Sequence, residues 1–446
     1  MSQICYIRVE VKKRELISRV DLAIEMARRG IPVIIGECIN PKILLKLGSN
    51  NSYFFGKCAQ PAILNLFKKL IDNGWTYGAL DEEGLLPDSL DSFAAQRFSS
   101  EGANTCKDIF FFGDRQKNAF DRIFGSRDSF VVSGNPRTDM WQANCYGLHD
   151  NSIMNIKKKY GNYVLLPLNF GYYTIKELHA MSSEGHLKST NCILAQKSEF
   201  LFDKFCKLAE KLARDLKINV IIRPHPSDDT KYIKKLIAKH GVKSELVQCI
   251  GNGEAFPWIS AAKLLFHNCC TTSLEAGFCG TPVVTFAPSN TSLYKDDNVN
   301  KLFPIVQTYD EALSIIKRQS EENKISSDFI SQVVDWGRLS LEHSGHIASF
   351  IADRIISRNT FEAIQHKKKF SKKFDSMRLQ HELIAYLSSI LGKNDRKVFI
   401  DKFPRTSVHE IINIVDHICK YRGYNIRPHV TQINSHLFGF YSNKAI

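Results

Sequence analysis

Residues 4–36, ICYIRVEVKKRELISRVDLAIEMARRGIPVIIG, decide the fold predicted for this chain. The run ICYIRVEV is rich in β-branched and aromatic residues, which favour a β-strand. The segment after it carries apolar residues at helical spacing: Leu16, Val20, Ile24 and Met26. IPVIIG then forms an apolar run without polar alternation. A strand, a helix and a fully apolar strand predict a parallel βαβ unit whose sheet is buried on both faces.

The same alternation continues along the chain and predicts two domains. YFFG, WTYGALD, DIFFFGD and SFVVSG form a first series, and YVLLPL, INVIIRPH, ELVQCI, KLLFHN and PVVTFAP form a second. We therefore expect an α/β protein of two Rossmann-like, doubly wound parallel-sheet domains facing a cleft, over residues 1–155 and 156–330. Residues 331–446 are expected to form a helical return segment and a basic, mainly helical C-terminal extension.

Size and cysteine content favour a cytoplasmic protein. The 446 residues contain no apolar run near the roughly 18 needed to cross a bilayer. The N-terminal stretch lacks the order of a secretory signal. Twelve cysteines occur without CxxC pairs or metal-ligand spacing, which predicts free, buried thiols in a reducing compartment.

Positive charge is concentrated near the C-terminus. The chain has a formal charge of +14, and residues 357–446 hold 16 Lys and Arg against 7 Asp and Glu, a balance of +9. HKKKFSKKF, at 366–374, suits peripheral attachment to an anionic inner membrane face. An acidic glycan, a nucleic acid or simply a solvated helical surface are alternatives. No nucleic-acid-binding motif occurs, and aromatic residues do not alternate with the basic ones as stacking platforms would.

An acidic triplet follows one predicted strand of the first domain. In GALDEEG the strand ends at Asp81, Glu82 and Glu83. Three adjacent acids repel one another, so a low-dielectric site would raise the pKa of at least one carboxyl group. Such a carboxylate could take a proton from a sugar hydroxyl as a general base. A surface turn or a helix N-cap is the alternative.

Two further turns follow strands. In VSGNPRTD, Gly134 and Asn135 form a tight turn that either ends the strand or brings backbone N–H groups close to a ligand. In LLPLNFG, Asn169 follows the first strand of the second domain, where a loop would line a nucleotide site.

RPHP, at 223–226, is a conformationally restricted segment at the end of a predicted strand of the second domain. Each proline biases the residue before it toward extended geometry, which holds His225 in one direction between Pro224 and Pro226. Arg223 adds a guanidinium at the same strand end. We expect both cationic or hydrogen-bonding groups to face a ligand.

A hydroxyl cluster follows another strand of the same domain. Thr271, Thr272 and Ser273 begin the predicted short helix of TTSLEAGFCG, and Glu275 lies in its first turn. Hydroxyls at a helix start either cap its free N–H groups or, with them, hold a phosphate. Opposite His225 they predict a phosphate clamp that needs no metal, and the sequence has no Asp-x-Asp motif and no Walker loop. Neither a metal nor a cofactor is expected.

In order, these blocks resemble GT-B glycosyltransferases that use CMP-activated 2-keto acid sugars. This group includes bacterial sialyltransferases with an HP motif, capsule Kdo transferases and the surface carbohydrate biosynthesis family. The likeness covers about residues 5–345 and runs through RELISRVDLAIEMARRGIPVIIG, ALDEEG, FFFGDRQKNAF, SGNPRTD, LLPLNFG, RPHP and TTSLEAGFCGTPVV. Arg14, which opens the first block, is a further cleft candidate.

The resemblance implies a role for each matching residue. Asp81 matches the general base, although Glu82 is close enough to contest the role. His225 matches the histidine that contacts the donor phosphate and assists the departure of CMP. Thr272 and Ser273 match a serine pair on the same phosphate. Glu275 matches the acidic residue that binds the ribose.

The resemblance also implies the reaction. It implies an inverting, metal-independent transfer of a nonulosonic acid (pseudaminic, legionaminic or sialic type) or Kdo from its CMP form to a bacterial surface glycan or its lipid-linked precursor. A CDP-polyol phosphotransferase of the teichoic acid type, a non-hydrolysing UDP-GlcNAc epimerase and a non-catalytic basic binding protein remain alternatives.

Overall fold

A computed structural model describes residues 3–38, 40–85, 89–170, 189–225, 228–293, 298–319, 328–335, 338–361 and 403–442. The chain divides into two compact units. The first unit comprises residues 1–148 and 336–446, and the second comprises residues 149–335. The last part of the chain therefore belongs with the first part, which differs from the predicted division into three consecutive segments.

The first unit is built on an eight-stranded sheet. Its strands are β1 (Cys5–Arg8), β2 (Val33–Gly36), β3 (Tyr53–Gly56), β4 (Thr76–Leu80), β5 (Asp108–Phe111), β6 (Phe130–Val132), β13 (His429–Asn434) and β14 (Leu437–Tyr441). Their order is β13-β14-β2-β1-β3-β4-β5-β6. Strands β1 to β6 are parallel, in keeping with the apolar βαβ pattern, and β14 pairs antiparallel with β2.

Helices cover both faces of this sheet. They are α1 (Lys12–Arg28), α2 (Pro41–Leu47), α3 (Pro61–Ile71), α4 (Leu90–Arg97), α5 (Ser100–Thr105), α6 (Asp114–Phe124), α7 (Pro136–Gln142), α16 (Ile347–Arg358) and α17 (Val408–Tyr421), with a 3₁₀ turn at Asn144–Gly147. Helices α2 to α6 contribute to one core with aromatic strand residues such as Tyr6, Phe54 and Phe111. Helix α1 packs against α7, α16 and α17.

The described part of the C-terminal extension adds a β-hairpin to its helices, and the sequence did not predict this hairpin. Residues 403–442 contain one helix, α17, and the β13–β14 hairpin. Strand β14, with the sequence LFGFY, covers the edge of β2 with Phe438 opposite Ile35 and Phe440 opposite Val33. Pairing satisfies the backbone groups of an edge that would otherwise be open. The basic stretch at 366–374 lies outside the described residues.

The second unit has its own six-stranded parallel sheet. Its strands are β7 (Tyr163–Pro167), β8 (Asn219–Arg223), β9 (Val247–Cys249), β10 (Leu264–His267), β11 (Val283–Phe286) and β12 (Ile305–Val306), in the order β12-β11-β10-β7-β8-β9. Strands leave β7 in both directions, as in a doubly wound Rossmann sheet, so the switch point lies between β7 and β10.

Eight helices and one short turn accompany this sheet in the described residues. They are α8 (Asp150–Tyr160), α9 (Ser189–Leu216), α10 (Thr230–Lys239), α11 (Phe256–Ala261), α12 (Thr272–Phe278), α13 (Asn298–Lys301), α14 (Tyr309–Gln319) and α15 (Asp328–Asp335), with a 3₁₀ turn at Pro288–Asn290. None of the helices in the described part of the chain is long and apolar enough to cross a membrane. The cysteines described in both units are free, and all but Cys279 are buried.

Candidate active site

Asp81 directly follows β4 and is buried at the carboxyl end of the first sheet. Its Oδ1 accepts a hydrogen bond of 2.8 Å from the Glu83 N–H. Its Oδ2 lies 3.2 Å from Arg97 Nε but finds no hydrogen-bond donor among the described residues. Burial raises the pKa of Asp81 to about 6, against the opposing charges of Lys57 and Arg97. The group can therefore exchange a proton near neutral pH.

Glu82, the next residue, is buried in a different environment. Its carboxylate lies 2.7 Å from Arg19 and 3.6 Å from Arg137, and it accepts a hydrogen bond of 3.2 Å from Asn135 Nδ2. Burial acts to raise the pKa of Glu82, but Arg19 and Arg137 outweigh it and lower that pKa. Glu82 is thus held ionised and engaged, which suits a structural carboxylate better than a proton acceptor.

Glu83, the third acid, is the exposed member of the triplet. Its Oε1 accepts hydrogen bonds of 3.2 Å each from Arg14 and Lys57, and its Oε2 accepts from Arg97. Burial opposes ionisation of this group, but the three cations lower the pKa of Glu83. Arg14 also pairs with Glu15 at 2.9 Å.

The SGNP turn supports Glu82. Asn135 is the N-cap of α7 and accepts a hydrogen bond of 2.9 Å from the Arg137 N–H through Oδ1, while its amide group bonds Glu82. Gly134 has a φ of +75°, and a Cβ there would lie 2.8 Å from the Ile347 side chain. The contacts described for this turn are internal to the first unit. They position the carboxylate of Glu82 next to Asp81, the acid predicted to be the general base.

Arg223 ends β8 and is largely buried. Two of its N–H groups donate to the backbone carbonyls of Asn252, at 3.2 Å, and Gly253, at 3.0 Å, and its guanidinium lies 5.6 Å from the centre of the Trp258 ring. Burial lowers the pKa of Arg223. These contacts hold the loop after β9, a role that the sequence did not suggest. Phosphate binding by Arg223 stays a prediction.

His225 is exposed just past the end of β8. Its N–H donates to Asp228 Oδ2 at 3.1 Å, and its carbonyl accepts from the Asp228 N–H at 2.9 Å. These bonds form a turn that fixes the backbone of the histidine. Pro226 lies outside the described residues.

The switch point of the second sheet brings two predicted segments together. Asn169, after β7, donates a hydrogen bond of 2.9 Å from Nδ2 to the carbonyl of Cys269, after β10. Asn169 Oδ1 is buried without a partner among the described residues. Cys269 has a φ of +52°, and its N–H donates to Asn300 Oδ1 at 2.6 Å. Ligands of such sheets bind at this crevice.

The hydroxyl cluster starts α12 at the same edge. Thr271 is exposed and Thr272 half-buried, and Thr271 makes no side-chain cap bond. Ser273 is fully buried, and its hydroxyl donates to the Cys270 carbonyl at 2.7 Å. Glu275 is half-buried in the first turn. Strands β8 and β10 lie on either side of β7 in a parallel sheet. His225 and this cluster therefore both lie at the carboxyl end of the sheet, with β7 between the strands that they follow.

Several residues around the acidic triplet were missed from the sequence. Lys57 follows β3, and its strand-end position was the available signal. Arg97 ends α4, and Arg19 lies in α1 among residues whose spacing predicted only a buried face. In the described part of the chain, no three His, Cys, Asp or Glu side chains are grouped so that they could hold a metal ion.

Comparison with known proteins shows the fold. No family model matches the chain, and no curated protein gives a significant sequence match. The UDP-GlcNAc 2-epimerase from Neisseria meningitidis, solved with UDP-GlcNAc, has a TM-score of 0.51 at 12% identity over 80% of this chain and 100% of that chain. A putative UDP-N-acetylglucosamine 2-epimerase from Listeria monocytogenes has a TM-score of 0.52 at 11% identity over 80% and 96%.

A third solved structure overlaps less well. The wall teichoic acid polymerase TagF has a TM-score of 0.40 at 12% identity over 69% of this chain and 71% of that chain, which is too low to bear on function. The two epimerase structures confirm the predicted fold class, a GT-B-like α/β architecture with two Rossmann-like parallel sheets.

Proposed function

We propose that this chain is an inverting glycosyltransferase that works without a metal ion. It moves a nonulosonic acid, of the pseudaminic, legionaminic or sialic type, or Kdo from its CMP-activated form to a bacterial surface glycan or its precursor. The observation that carries the proposal is Asp81, a buried carboxyl group at a strand end whose pKa is about 6 and whose Oδ2 has no hydrogen-bond donor in the described residues.

In this proposal Asp81 is the general base. Asp81 takes the proton of the acceptor hydroxyl while the hydroxyl oxygen forms a bond to the anomeric carbon of the donor. The bond from that carbon to the phosphate oxygen breaks, and CMP leaves with the electron pair. Attack opposite the leaving group inverts the anomeric configuration. Glu82 stays ionised between Arg19 and Arg137 and serves to position the strand end, which favours Asp81 over Glu82 as the base.

Residues of the second unit act on the donor in this proposal. His225 supplies a hydrogen bond to the phosphate as negative charge develops there, and Thr271 and Thr272 add hydroxyl or backbone donors. Each well-placed donor of this kind lowers the barrier by about 3–4 kcal/mol. Ser273 instead supports the turn, because its hydroxyl and its N–H both donate to the Cys270 carbonyl. Arg223 holds the loop at 252–253 through its two carbonyl contacts and so positions the same edge. Glu275 remains the candidate for the ribose hydroxyls.

The test is transfer from CMP-activated donors in the presence of EDTA. We expect turnover by the wild-type protein, a loss of about 10²- to 10⁴-fold in kcat for Asp81→Asn, and a loss of about 10²- to 10³-fold for His225→Ala. Asp91→Asn is the matched control, because Asp91 is an exposed acid of the same unit that pairs only with exposed Arg122 in the described contacts. Full activity in both Asp81→Asn and His225→Ala would contradict the proposal.

Product analysis separates the alternative reactions. A CDP-polyol phosphotransferase would leave phosphorus in the product, whereas a glycosyltransferase would not. A UDP-GlcNAc epimerase would be protected against thermal unfolding by UDP-GlcNAc rather than by CMP. A non-catalytic binding protein would turn over none of these donors.

We also propose that the basic stretch at 366–374 attaches the protein to an anionic membrane face. Support comes from its five lysines beside two phenylalanines, a composition that binds anionic lipid. The wild-type protein should float with phosphatidylglycerol-containing vesicles, and replacing the five lysines by glutamine should abolish this flotation. Neither protein should float with vesicles of pure phosphatidylcholine. Equal flotation of both proteins would contradict membrane attachment by this stretch.

A further inference from the structure

We propose that Arg14, Lys57 and Arg97 form a binding site for an anionic group of the acceptor, a carboxylate or a phosphate. Glu83 occupies this site when no acceptor is bound. The inference deepens the proposed function, on which the word acceptor rests, because it names the chemical class of the molecule that receives the sugar.

Three cationic side chains converge on one carboxylate. Glu83 Oε1 accepts from Arg14 Nη1 and Lys57 Nζ, each at 3.2 Å, and Glu83 Oε2 accepts from Arg97 Nη2. Both carboxylate oxygens are therefore bound as an incoming carboxylate or phosphate oxygen pair would be. Arginine donors in a planar fork are well suited to such groups.

The burial of the four groups is unequal. The side chains of Lys57, Arg97 and Arg14 are 9%, 22% and 27% exposed, whereas that of Glu83 is 48% exposed. Ion pairs with a well-hydrated partner contribute little to stability. The carboxylate can therefore turn out into water at small cost. The three cations then keep their other carboxylate partners, Glu15 for Arg14, Glu10 for Lys57 and Asp81 for Arg97, and the donors that held Glu83 become available to an incoming anion.

The cationic trio adjoins the proposed base. Arg97 donates to Glu83 through Nη2, and its Nε lies 3.2 Å from Asp81 Oδ2. Asp81 is nine-tenths or more buried, and this oxygen has no hydrogen-bond donor among the described residues. An acceptor anchored to the trio by its anionic group would bring a neighbouring hydroxyl next to a carboxyl oxygen that is available for the proton.

This arrangement distinguishes charged from neutral acceptors. A neutral sugar cannot replace the charge of Glu83, so its binding would exchange three charge-assisted hydrogen bonds for weaker bonds to hydroxyl groups. A sugar acid or a sugar phosphate replaces that charge directly. The site therefore favours an acceptor that already carries an acidic group.

Direct binding to the full-length protein tests the inference without any donor nucleotide. The probes are methyl β-glucuronide, methyl glucoside 6-phosphate and neutral methyl β-glucoside, measured by calorimetry or ligand-observed NMR. We expect at least one charged probe to bind more tightly than the neutral one. Glu83→Gln should strengthen its binding about tenfold, and Lys57→Met should weaken it about tenfold or more. The two charged probes separate a carboxylate site from a phosphate site.

Two further variants keep the result interpretable. Arg14→Gln removes a less buried member of the trio and should also weaken binding, which covers the case in which Lys57→Met fails to fold. Asp91→Asn removes an acid from an exposed ion pair elsewhere in the unit and should leave binding unchanged. Unchanged or weaker binding of charged probes in folded Glu83→Gln, or equal binding of charged and neutral probes, would overturn the inference. Tight binding of a charged probe by Glu83→Gln supports it even if CMP donors are not turned over.

Discussion

At the level of single residues, Asp81 and Glu82 are adjacent carboxyl groups with opposite pKa shifts. Burial dominates at Asp81 and raises its pKa to about 6, whereas Arg19 and Arg137 overcome burial at Glu82 and lower its pKa. The sequence predicted an acidic group with a raised pKa but not which one. The deciding arginines come from α1 and α7, and no local pattern predicts which of two neighbours they reach.

The raised pKa of Asp81 predicts the pH dependence of the reaction. A general base acts only when ionised, so kcat/KM should rise with pH below about 6 and level off above it. The measurement is kcat/KM between pH 4.5 and pH 8 (roughly the range of carboxyl and imidazole titration) at fixed ionic strength. A profile that is flat through this range would contradict the assignment of the base.

The same shift predicts how stability depends on pH. Because the pKa of Asp81 is raised from 3.8 to about 6 in the folded protein, its favourable contribution is present at low pH and is lost as pH rises through that window. Asp81→Asn cannot ionise at this position. At pH 8 its free energy of unfolding should exceed that of the wild type by up to about 3 kcal/mol, and its melting temperature should be higher. The difference should be nearly gone at about pH 3, below both pKa values. A variant less stable at both pH values would contradict this.

Gly134 is a second residue with a specific requirement. Its φ of +75° disfavours any side chain, and a methyl group on its Cα would lie 2.8 Å from the Ile347 side chain. Gly134→Ala should lose about 2–4 kcal/mol of unfolding free energy, from backbone strain and from overpacking. Gly125→Ala is the control, because Gly125 has a φ of +78° but no atom within 4 Å of its Cβ position. Equal losses in thermal melts would show that the contact with Ile347 adds nothing.

At the level of elements, the parallel strands follow from their sequences, and the hairpin does not. Apolar runs such as VIIG in β2 are buried on both faces, so composition alone predicts them. Strand β13, HVTQIN, is half-buried and polar, and it lies in a chain segment whose main signal is basic charge. Its membership of the sheet depends on β14 and β2, and β2 is almost four hundred residues away in sequence.

Helix α16 receives its N-terminal cap from another element. Its own N-cap residue, His346, makes no side-chain cap bond, and Asp139 of α7 accepts from the N–H groups of Gly345 and Ile347 at 2.8 and 3.0 Å. Asp139→Ala should cost about 2–4 kcal/mol in urea unfolding, because two N–H groups lose a charged acceptor. Asp353→Ala, which removes the exposed partner of Arg29, should cost under about 1 kcal/mol. Similar costs would contradict this capping role.

At the level of the whole molecule, distant parts of the chain complete one unit. Asp21 of α1 is fully buried and accepts from Arg422 at 2.9 and 2.5 Å and from Tyr146 at 2.8 Å. Arg422 follows α17, which packs on α1 beside the hairpin. The predicted domain pattern could not show this, because a contact between residues 21 and 422 has no local signature in the sequence.

Loss of Arg422 tests how much the C-terminal part contributes. Arg422→Ala leaves the Asp21 carboxylate buried without its cation, so the first unit should lose about 3–5 kcal/mol of stability. Arg427→Ala removes an arginine from an exposed pair with Asp416 and should cost under about 1 kcal/mol. Two melting transitions followed by calorimetry would locate the loss. Equal stability of the two variants would show that the buried pair is dispensable.

The β14–β2 pairing also bears on biosynthesis. Strand β2 is made early, but its neighbour β14 ends at Tyr441, so this side of β2 stays unpaired until the chain through Tyr441 has left the ribosome. The second unit is one continuous stretch, residues 149–335, and is fully translated well before that. During translation, at roughly 5–20 residues per second, residues 149–335 can therefore fold before the sheet of the first unit gains its β13–β14 hairpin.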